Sequence, residues 1–115
     1  MPGPGQVLVE VRHTWLNSAE LYFARQGRPG EVIGFDAAGV VVAPASDGTG
    51  PAAGSRVVGF GAGGGFGALC AMDVIDVAVA PDGVDLGEAA TLPVAAGTAL
   101  RALEQAGPCW AAGSW

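Results

Sequence analysis

The residues near the start of the chain follow first the two-residue period of a strand and then a helix-start signal. Residues 7–13 alternate apolar and polar side chains after Leu8, which predicts a half-buried strand. Its inward-facing positions would be Val7, Val9 and Val11. Asn17 and Glu20 have the spacing of a capping box, which predicts a helix with Asn17 as its N-cap that ends near Gln26.

The later apolar segments predict several short strands followed by helices. The strands are expected at residues 36–43, 56–60, 68–72 and 74–80. Asp85 and Glu88 repeat the capping-box spacing and predict a short helix that ends near Pro93, and residues 97–106 predict a longer helix. Because strands dominate the first two thirds of the chain, we expect a mainly β, α+β domain: a partly open β-barrel with helices packed on one side.

The glycine-rich segment at residues 59–64 has the G-x-G-x-x-G spacing of a dinucleotide-binding loop and follows a predicted strand. Such a site needs a helix directly after the glycines, because the pyrophosphate lies at the N-terminus of that helix. Here residues 68–72 and 74–80 follow, and both segments are typical of strands. The sequence therefore predicts a connecting loop at 61–67 and no nucleotide fingerprint in this chain.

Length and charge exclude several classes of protein. At 115 residues the chain has the length of one domain. A net charge of −6, with only five Lys and Arg residues, argues against a nucleic-acid-binding surface. No apolar run approaches the roughly 20 residues of a membrane span, and the N-terminus lacks a signal-peptide pattern. We therefore expect a cytoplasmic protein with neither nucleic-acid nor membrane partners.

Few side chains are available for a metal site. Cys70, Cys109 and His13 have no metal-ligand spacing among them. We expect Cys70 to be a small core residue, Cys109 to be a tail residue and His13 to end its strand at the surface. The spacing of these residues predicts no metal.

Several segments, taken in order, resemble the N-terminal GroES-like domain of medium-chain dehydrogenases/reductases. They are residues 4–9 (PGQVLV), 16–17 (LN), 34–41 (GFDAAGVV), 54–57 (GSRV), 89–93 (AATLP) and 97–99 (GTA). No single segment is specific, but their order and spacing extend over residues 4–107. The resemblance implies a GroES-like β-barrel over that range, without the first strand of the family's barrel and without a Rossmann domain.

Zinc-dependent members of this family place a cysteine ligand where this chain has Asn17 and a histidine ligand where it has Phe35. Neither an asparagine nor a phenylalanine side chain supplies the thiolate or imidazole that such a zinc site uses. The family's cysteine-rich structural zinc lobe is also absent, and residues 61–67 stand in its place. The chain is therefore similar to the zinc-free branch, that of the quinone oxidoreductases.

That resemblance implies a reductase that uses NADPH, or less readily NADH, to reduce a quinone or an α,β-unsaturated carbonyl by hydride transfer. It implies Asn17 and Tyr22 as catalytic residues, Thr98 as a cofactor-binding residue beside the nicotinamide, and a homodimeric full-length enzyme. Asparagine amides and tyrosine hydroxyls donate hydrogen bonds at neutral pH, and a threonine hydroxyl can hold a carboxamide. Each residue also has a structural interpretation, as a helix cap, a packed aromatic ring or the start of the last helix.

The last eight residues, 108–115, do not have the strand pattern with which the family's nucleotide-binding half begins. Deleting one base from a GC-rich coding sequence for Pro-Leu-Leu-Gly-Arg-Arg-Val-Leu-Val-Thr yields Pro-Cys-Trp-Ala-Ala-Gly-Ser-Trp and a stop codon. We therefore interpret residues 108–115 as a frameshifted, non-native tail on a truncated reductase. We expect the chain by itself to be inactive and to bind NADPH poorly.

Two other interpretations stay open. The chain can be a stand-alone β-barrel binding or scaffold module, or one part of a split enoyl reductase whose Rossmann half lies on another chain. The downstream DNA discriminates among the three interpretations. A shifted frame that encodes a strand, a glycine fingerprint and a helix supports truncation, the same elements in a separate gene support a split enzyme, and unrelated sequence supports a binding module.

Overall fold

Five strands and three α-helices make up residues 2–107, the part of the chain that the computed structural model describes. In chain order the elements are β1 (Gln6–Trp15), α1 (Ser18–Gln26), β2 (Asp36–Ala43), β3 (Arg56–Phe60), β4 (Leu69–Asp73), a 3₁₀ turn (Val74–Asp76), β5 (Val77–Val79), α2 (Leu86–Ala89), a π-helical turn (Leu92–Ala96) and α3 (Gly97–Gln105). The predicted tail, residues 108–115, and Cys109 within it lie outside the described residues.

The strands form one antiparallel sheet in the order β4-β1-β2-β3-β5. Register shifts in β1, between Leu8 and Val9 and again between Val11 and His13, bend this long interior strand and curl the sheet. Gly39 lies where β2 crosses closest to β1, because a Cβ added there would collide with the carbonyl oxygen of Glu10. The result is a curled half-barrel, so the mainly β, partly open barrel predicted from the sequence is confirmed.

The core consists mainly of small and branched apolar side chains. Its buried members are Val7, Val9, Ala37, Val41, Ala45, Val57, Cys70 and Met72. Val11 packs against this cluster while half-buried, which confirms the inward positions predicted for β1. Burial raises the pKa of the Cys70 thiol, so this side chain behaves as an inert core residue. His13 is exposed as expected, but it does not end its strand, because β1 continues to Trp15.

Two sequence predictions are wrong in detail. The strand expected at 74–80 exists only as β5, because β4 and β5 are opposite edges of the sheet and the chain turns through Val74–Asp76 to cross between them. Asp85 does cap α2 through hydrogen bonds from the Gly87 and Glu88 amides, at 2.8 and 3.2 Å, but the helix ends at Ala89 rather than near Pro93. A π-helical turn that the sequence did not predict then leads into α3.

The glycine-rich segment is a connection between strands, as predicted. It leads from β3 directly into β4, and its amides are used within the protein. Gly61 N–H donates to the carbonyl of Phe35 at 2.6 Å, and Gly64 and Gly65 N–H donate to Val32 and Gly34 at 3.0 Å each. These amides are therefore not available to a phosphate group, and no helix follows them to complete a dinucleotide site.

No helix within residues 2–107 has both the length and the apolar character that a membrane span requires.

Candidate functional site

Asn17 lies in an extended conformation between β1 and α1, and its side-chain amide is held by two carboxylates. Its Nδ2 donates to Asp36 Oδ2 at 2.7 Å and to Glu20 Oε1 at 3.4 Å. The nitrogen must face this way, because the amide oxygen would be repelled by both carboxylates. Both amide hydrogens are therefore used inside the protein, and the Glu20 N–H donates to the Asn17 backbone carbonyl at 3.2 Å.

Glu20 is a buried carboxylate that ties α1 to the segment before β2. Its oxygens accept hydrogen bonds from the backbone N–H of Asn17 at 2.8 Å and of Phe35 at 3.1 Å, besides the Asn17 amide. The first of these bonds is the Glu20 half of the predicted capping box. Glu20 is only 1% exposed, so these donors replace the water that the carboxylate would otherwise bind.

Asp36, the first residue of β2, forms hydrogen bonds with two segments that are far apart in the chain. Its Oδ2 accepts the Asn17 amide, and its Oδ1 accepts the backbone N–H of Val94, 58 residues further along, at 2.9 Å. Burial raises the pKa of Asp36; the hydrogen bonds from Asn17 and Val94 oppose that effect, and the nearby Glu20 carboxylate reinforces it. Val94 lies within the π-helical turn, so this bond ties that turn to the start of β2.

Tyr22 projects from the second turn of α1 and is 59% exposed. Its hydroxyl forms no hydrogen bond with any of the described residues, so it remains a free donor. Its ring packs edge-on against Phe23, with centroids 5.4 Å apart. Phe23 in turn packs edge-on against Phe35 at 5.5 Å, and Phe35 stacks on Phe60 at 5.4 Å. Tyr22 is thus one end of a row of four aromatic rings.

Thr98 is the second residue of α3 and is exposed. Its hydroxyl has no hydrogen-bond partner among the described side chains and backbone groups. Thr98 follows Val94 by four residues, so the Asp36–Val94 hydrogen bond fixes the turn from which α3 emerges. This bond connects the segment that carries Thr98 to the residue that orients Asn17.

A cavity of about 450 Å³ lies beside α1, between the segment at 31–35 and the glycine-rich loop. One face of α1 contributes Glu20, Phe23 and Gln26, and Phe35 forms part of the opposite wall. Asn17, Tyr22 and Thr98 are not among its lining residues. The structure therefore joins Asn17 to the turn before α3 through Asp36, and Tyr22 to the cavity through Phe23. Among the described residues, no hydrogen bond joins Thr98 to Asn17 or Tyr22.

Sequence reasoning missed Asp36, and it treated Glu20 only as a capping residue. A carboxylate that opens an apolar, valine-rich strand is unusual, and it is the one signal that pointed to Asp36. The row of phenylalanines had no signal, because its members are far apart in the chain and meet only through the fold of the sheet.

Asn17 and Phe35, the two residues that the resemblance aligns with zinc ligands, are both engaged in other contacts. The Asn17 amide is bonded to Asp36 and Glu20, and the Phe35 ring is stacked on Phe60. Among residues 2–107, no group of three or more His, Cys, Asp or Glu side chains is arranged to hold a metal ion.

Comparison with known proteins identifies the family of this domain. The family described as the alcohol dehydrogenase GroES-like domain matches residues 3–92. The trans-enoyl reductase tazE of Aspergillus terreus is 36% identical over 88% of this chain, which corresponds to 39% of that reductase. The chain thus spans well under half the length of this relative.

Solved structures agree in fold. A quinone oxidoreductase from Pseudomonas syringae has a TM-score of 0.83 and 26% identity, over 92% of this chain and 34% of its own. Mycobacterial Rv1454c, solved in complex with NADPH, has a TM-score of 0.82 and 29% identity, over 94% and 35%. A putative zinc-dependent alcohol dehydrogenase from Rhizobium etli has a TM-score of 0.81 and 33% identity, over 88% and 31%.

Proposed function

Because this chain belongs to the alcohol dehydrogenase GroES-like domain family of oxidoreductases, we propose that it is the substrate-side domain of a zinc-free, NAD(P)H-dependent reductase of quinones or α,β-unsaturated carbonyls. The observation that supports this proposal best is the arrangement at Asn17 and Phe35. Where zinc-dependent members have a thiolate and an imidazole, this chain has an amide bonded to two carboxylates and a stacked ring. The trans-enoyl reductase relative and the quinone oxidoreductase structure support the reaction class.

Without a metal, the carbonyl oxygen of the substrate needs a hydrogen-bond donor to stabilise the charge that develops as hydride is added. Tyr22 is the donor best placed for this role, because its hydroxyl is unbonded among the described residues and its side chain is exposed. Asn17 stays a predicted catalytic residue, and we propose that it contributes an acceptor to the site. Its amide hydrogens are used by Asp36 and Glu20, which leaves Oδ1 to accept a hydrogen bond from a hydroxyl or amide group of a ligand.

NADPH, as found in the mycobacterial relative, supplies the hydride when bound. Thr98 fits a place beside the nicotinamide, because its exposed hydroxyl is free to bond the carboxamide. The glycine-rich loop does not fit the pyrophosphate, since its amides bond the 32–35 segment. In this proposal the chain contributes the walls of the nicotinamide site rather than the phosphate site, and a homodimeric complete enzyme in the cytoplasm stays a prediction of the resemblance.

The site is tested by adding benzylideneacetone, a neutral enone, and reduced nicotinamide mononucleotide to isotope-labelled chain and following the backbone amides by NMR. We expect the enone to shift the amides of Asn17 and Tyr22, and the mononucleotide to shift the amide of Thr98. Shifts confined to the opposite face of the sheet, or the same shifts with an unrelated nucleoside monophosphate such as AMP, contradict the assignment of these residues.

A further inference from the structure

The cavity beside α1 has walls that favour a flat, conjugated ligand. At about 450 Å³ it lies within the range of small-molecule sites, about 300–1,000 Å³. Phe23 and Phe35 present two rings set at 81° to each other, and Phe60 supports Phe35 from behind. The bond from the Phe35 N–H to Glu20 fixes the backbone that carries the second ring. These aromatic walls are therefore in place before any ligand binds.

The charges around the cavity are all negative. Glu20 and Glu31 line it, and the lining contains no Lys, Arg or His side chain. Neither glutamate forms a salt bridge within residues 2–107, and their carboxylates accept only hydrogen bonds from neutral groups. Two uncompensated carboxylates repel an anionic ligand while leaving a neutral one unaffected.

The cavity adjoins the site proposed above through one aromatic contact. Tyr22 packs against Phe23, so the exposed hydroxyl and the cavity wall belong to one row of rings. A conjugated carbonyl compound matches this arrangement. Its apolar planar body suits the aromatic walls, and the one oxygen at its end suits the Tyr22 hydroxyl.

We propose that this cavity binds the planar, uncharged body of an aryl-conjugated ketone and excludes carboxylate analogues of the same size, with Glu31 as a specificity-determining residue. This inference rests on the proposed function, since it names the substrate class of that same site. In this proposal, Phe23 and Phe35 provide the affinity for the ligand, and Glu20 and Glu31 select against negatively charged ligands.

A matched pair of ligands tests the charge rule. Benzylideneacetone and trans-cinnamate have nearly the same size and differ in ending as a methyl ketone or a carboxylate. In NMR titrations of the purified chain, we expect benzylideneacetone to shift the amides of Gly34, Phe35 and Ala62 and to bind at least ten-fold more tightly than cinnamate. Equal affinities, or no binding of the ketone up to its solubility limit, overturn the proposal.

Substitutions at exposed positions should leave the fold intact, so their effects report on ligand binding. Glu31→Gln is isosteric and should strengthen cinnamate binding roughly 2–5-fold, the range expected for a partly exposed charge, with ketone binding unchanged. Gln26→Lys adds a cation at the cavity and should strengthen cinnamate binding further. Glu104→Gln, on α3 and away from the cavity, is the control and should change neither affinity. If Glu31→Gln and Glu104→Gln behave alike, Glu31 does not determine specificity and the proposal is wrong.

The aromatic walls have their own variant. Phe23→Leu should weaken ketone binding roughly 2–10-fold, as expected from losing one aromatic contact, while Ile75→Leu on the 3₁₀ turn should not. The outcome also separates the two proposals. Ketone-induced shifts at Tyr22 without shifts at Gly34 and Ala62 contradict the cavity alone, whereas shifts at the cavity without any at Tyr22 contradict the proposed function.

Discussion

At Asp36, one buried carboxylate accepts hydrogen bonds from two donors that lie far apart in sequence, the Asn17 amide and the Val94 N–H. A carboxylate can satisfy both donors because it has two acceptor oxygens and no hydrogen of its own when ionised. Replacing it therefore alters the orientation of Asn17 and the path of the chain into α3 at once. The residue thus has a role in positioning, although it forms no part of the cavity lining.

Asp36→Asn should destabilise the domain at neutral pH, because the NH₂ group of the new side chain must face one of the two donors. A buried donor left without a partner costs about 1–3 kcal/mol, so we expect the free energy of unfolding in urea to fall by that order. Asp82→Asn, in an exposed turn, is the control and should have little effect. Equal stabilities of the two variants contradict the role given to Asp36.

The same variant should change how stability depends on pH. The pKa of Asp36 in the folded chain is raised above its ordinary value of 3.8, so between that value and the raised one the folded state binds more protons than the unfolded state. Stability then falls as pH rises through this window. The difference in unfolding free energy between the wild-type chain and Asp36→Asn should show this fall. A difference that increases with pH over the same window contradicts a raised pKa.

Tyr22→Phe separates function from stability at a single residue. The ring remains to pack on Phe23, and the lost hydroxyl has no partner among the described residues, so stability should change by less than about 0.5 kcal/mol. Affinity for benzylideneacetone should fall roughly 2–10-fold, the loss of one hydrogen bond. Unchanged ketone affinity, measured by the same NMR titration, means that Tyr22 is only a packed ring.

Among the elements, those that the sequence predicted best depend on local signals. The alternation in β1 and the capping-box spacing before α1 are patterns of neighbouring residues, and both elements have nearly the predicted bounds. The 3₁₀ turn at Val74–Asp76 and the π-helical turn at Leu92–Ala96 have no such local signal. The first lies where the chain crosses between opposite edges of the sheet, and the second contains Val94, whose N–H bonds a residue of β2.

The residues of the candidate site also fall into those that could be predicted from the sequence and those that could not. Asn17, Tyr22 and Thr98 were predicted from the resemblance to a family, which compares positions along a chain. The roles of Glu20, Phe23 and Phe60 could not be predicted, because each depends on a contact made across the fold. The use of both Asn17 hydrogens by carboxylates also became visible only in three dimensions.

Helix α3 has an exposed apolar face and no buried residue. Leu100 and Leu103 are 58% and 46% exposed, and the helix packs mainly against the turn that precedes it. Exposed leucines on one helix face favour association. The chain should therefore self-associate in sedimentation experiments, and Leu100→Ser with Leu103→Ser should reduce that association. Ile75→Ser, at an exposed position on another element, should not reduce it, and equal effects would argue against α3 as the surface involved.

For the molecule as a whole, the absence of metal chemistry is the property that separates this proposal from alcohol dehydrogenase activity. One structural relative is a putative zinc-dependent enzyme, so the distinction rests on Asn17 and Phe35. The purified and dialysed chain should hold far less than one zinc per molecule by elemental analysis. A content of about one zinc per chain, in a preparation where a zinc-dependent alcohol dehydrogenase keeps its metal, contradicts the zinc-free assignment.

The central claim is that this chain supplies the substrate side of a zinc-free hydride transfer, and deuterium transfer measures it most directly. The chain would replace the matching segment of the Aspergillus terreus reductase, and the hybrid would receive deuterated NADPH, a zinc chelator and an enone that the parent enzyme reduces. We predict one deuterium on the β-carbon of the product, with the yield strongly reduced by Tyr22→Phe. A folded hybrid that transfers no deuterium while the parent enzyme does, or that transfers it only when zinc is added, contradicts the claim.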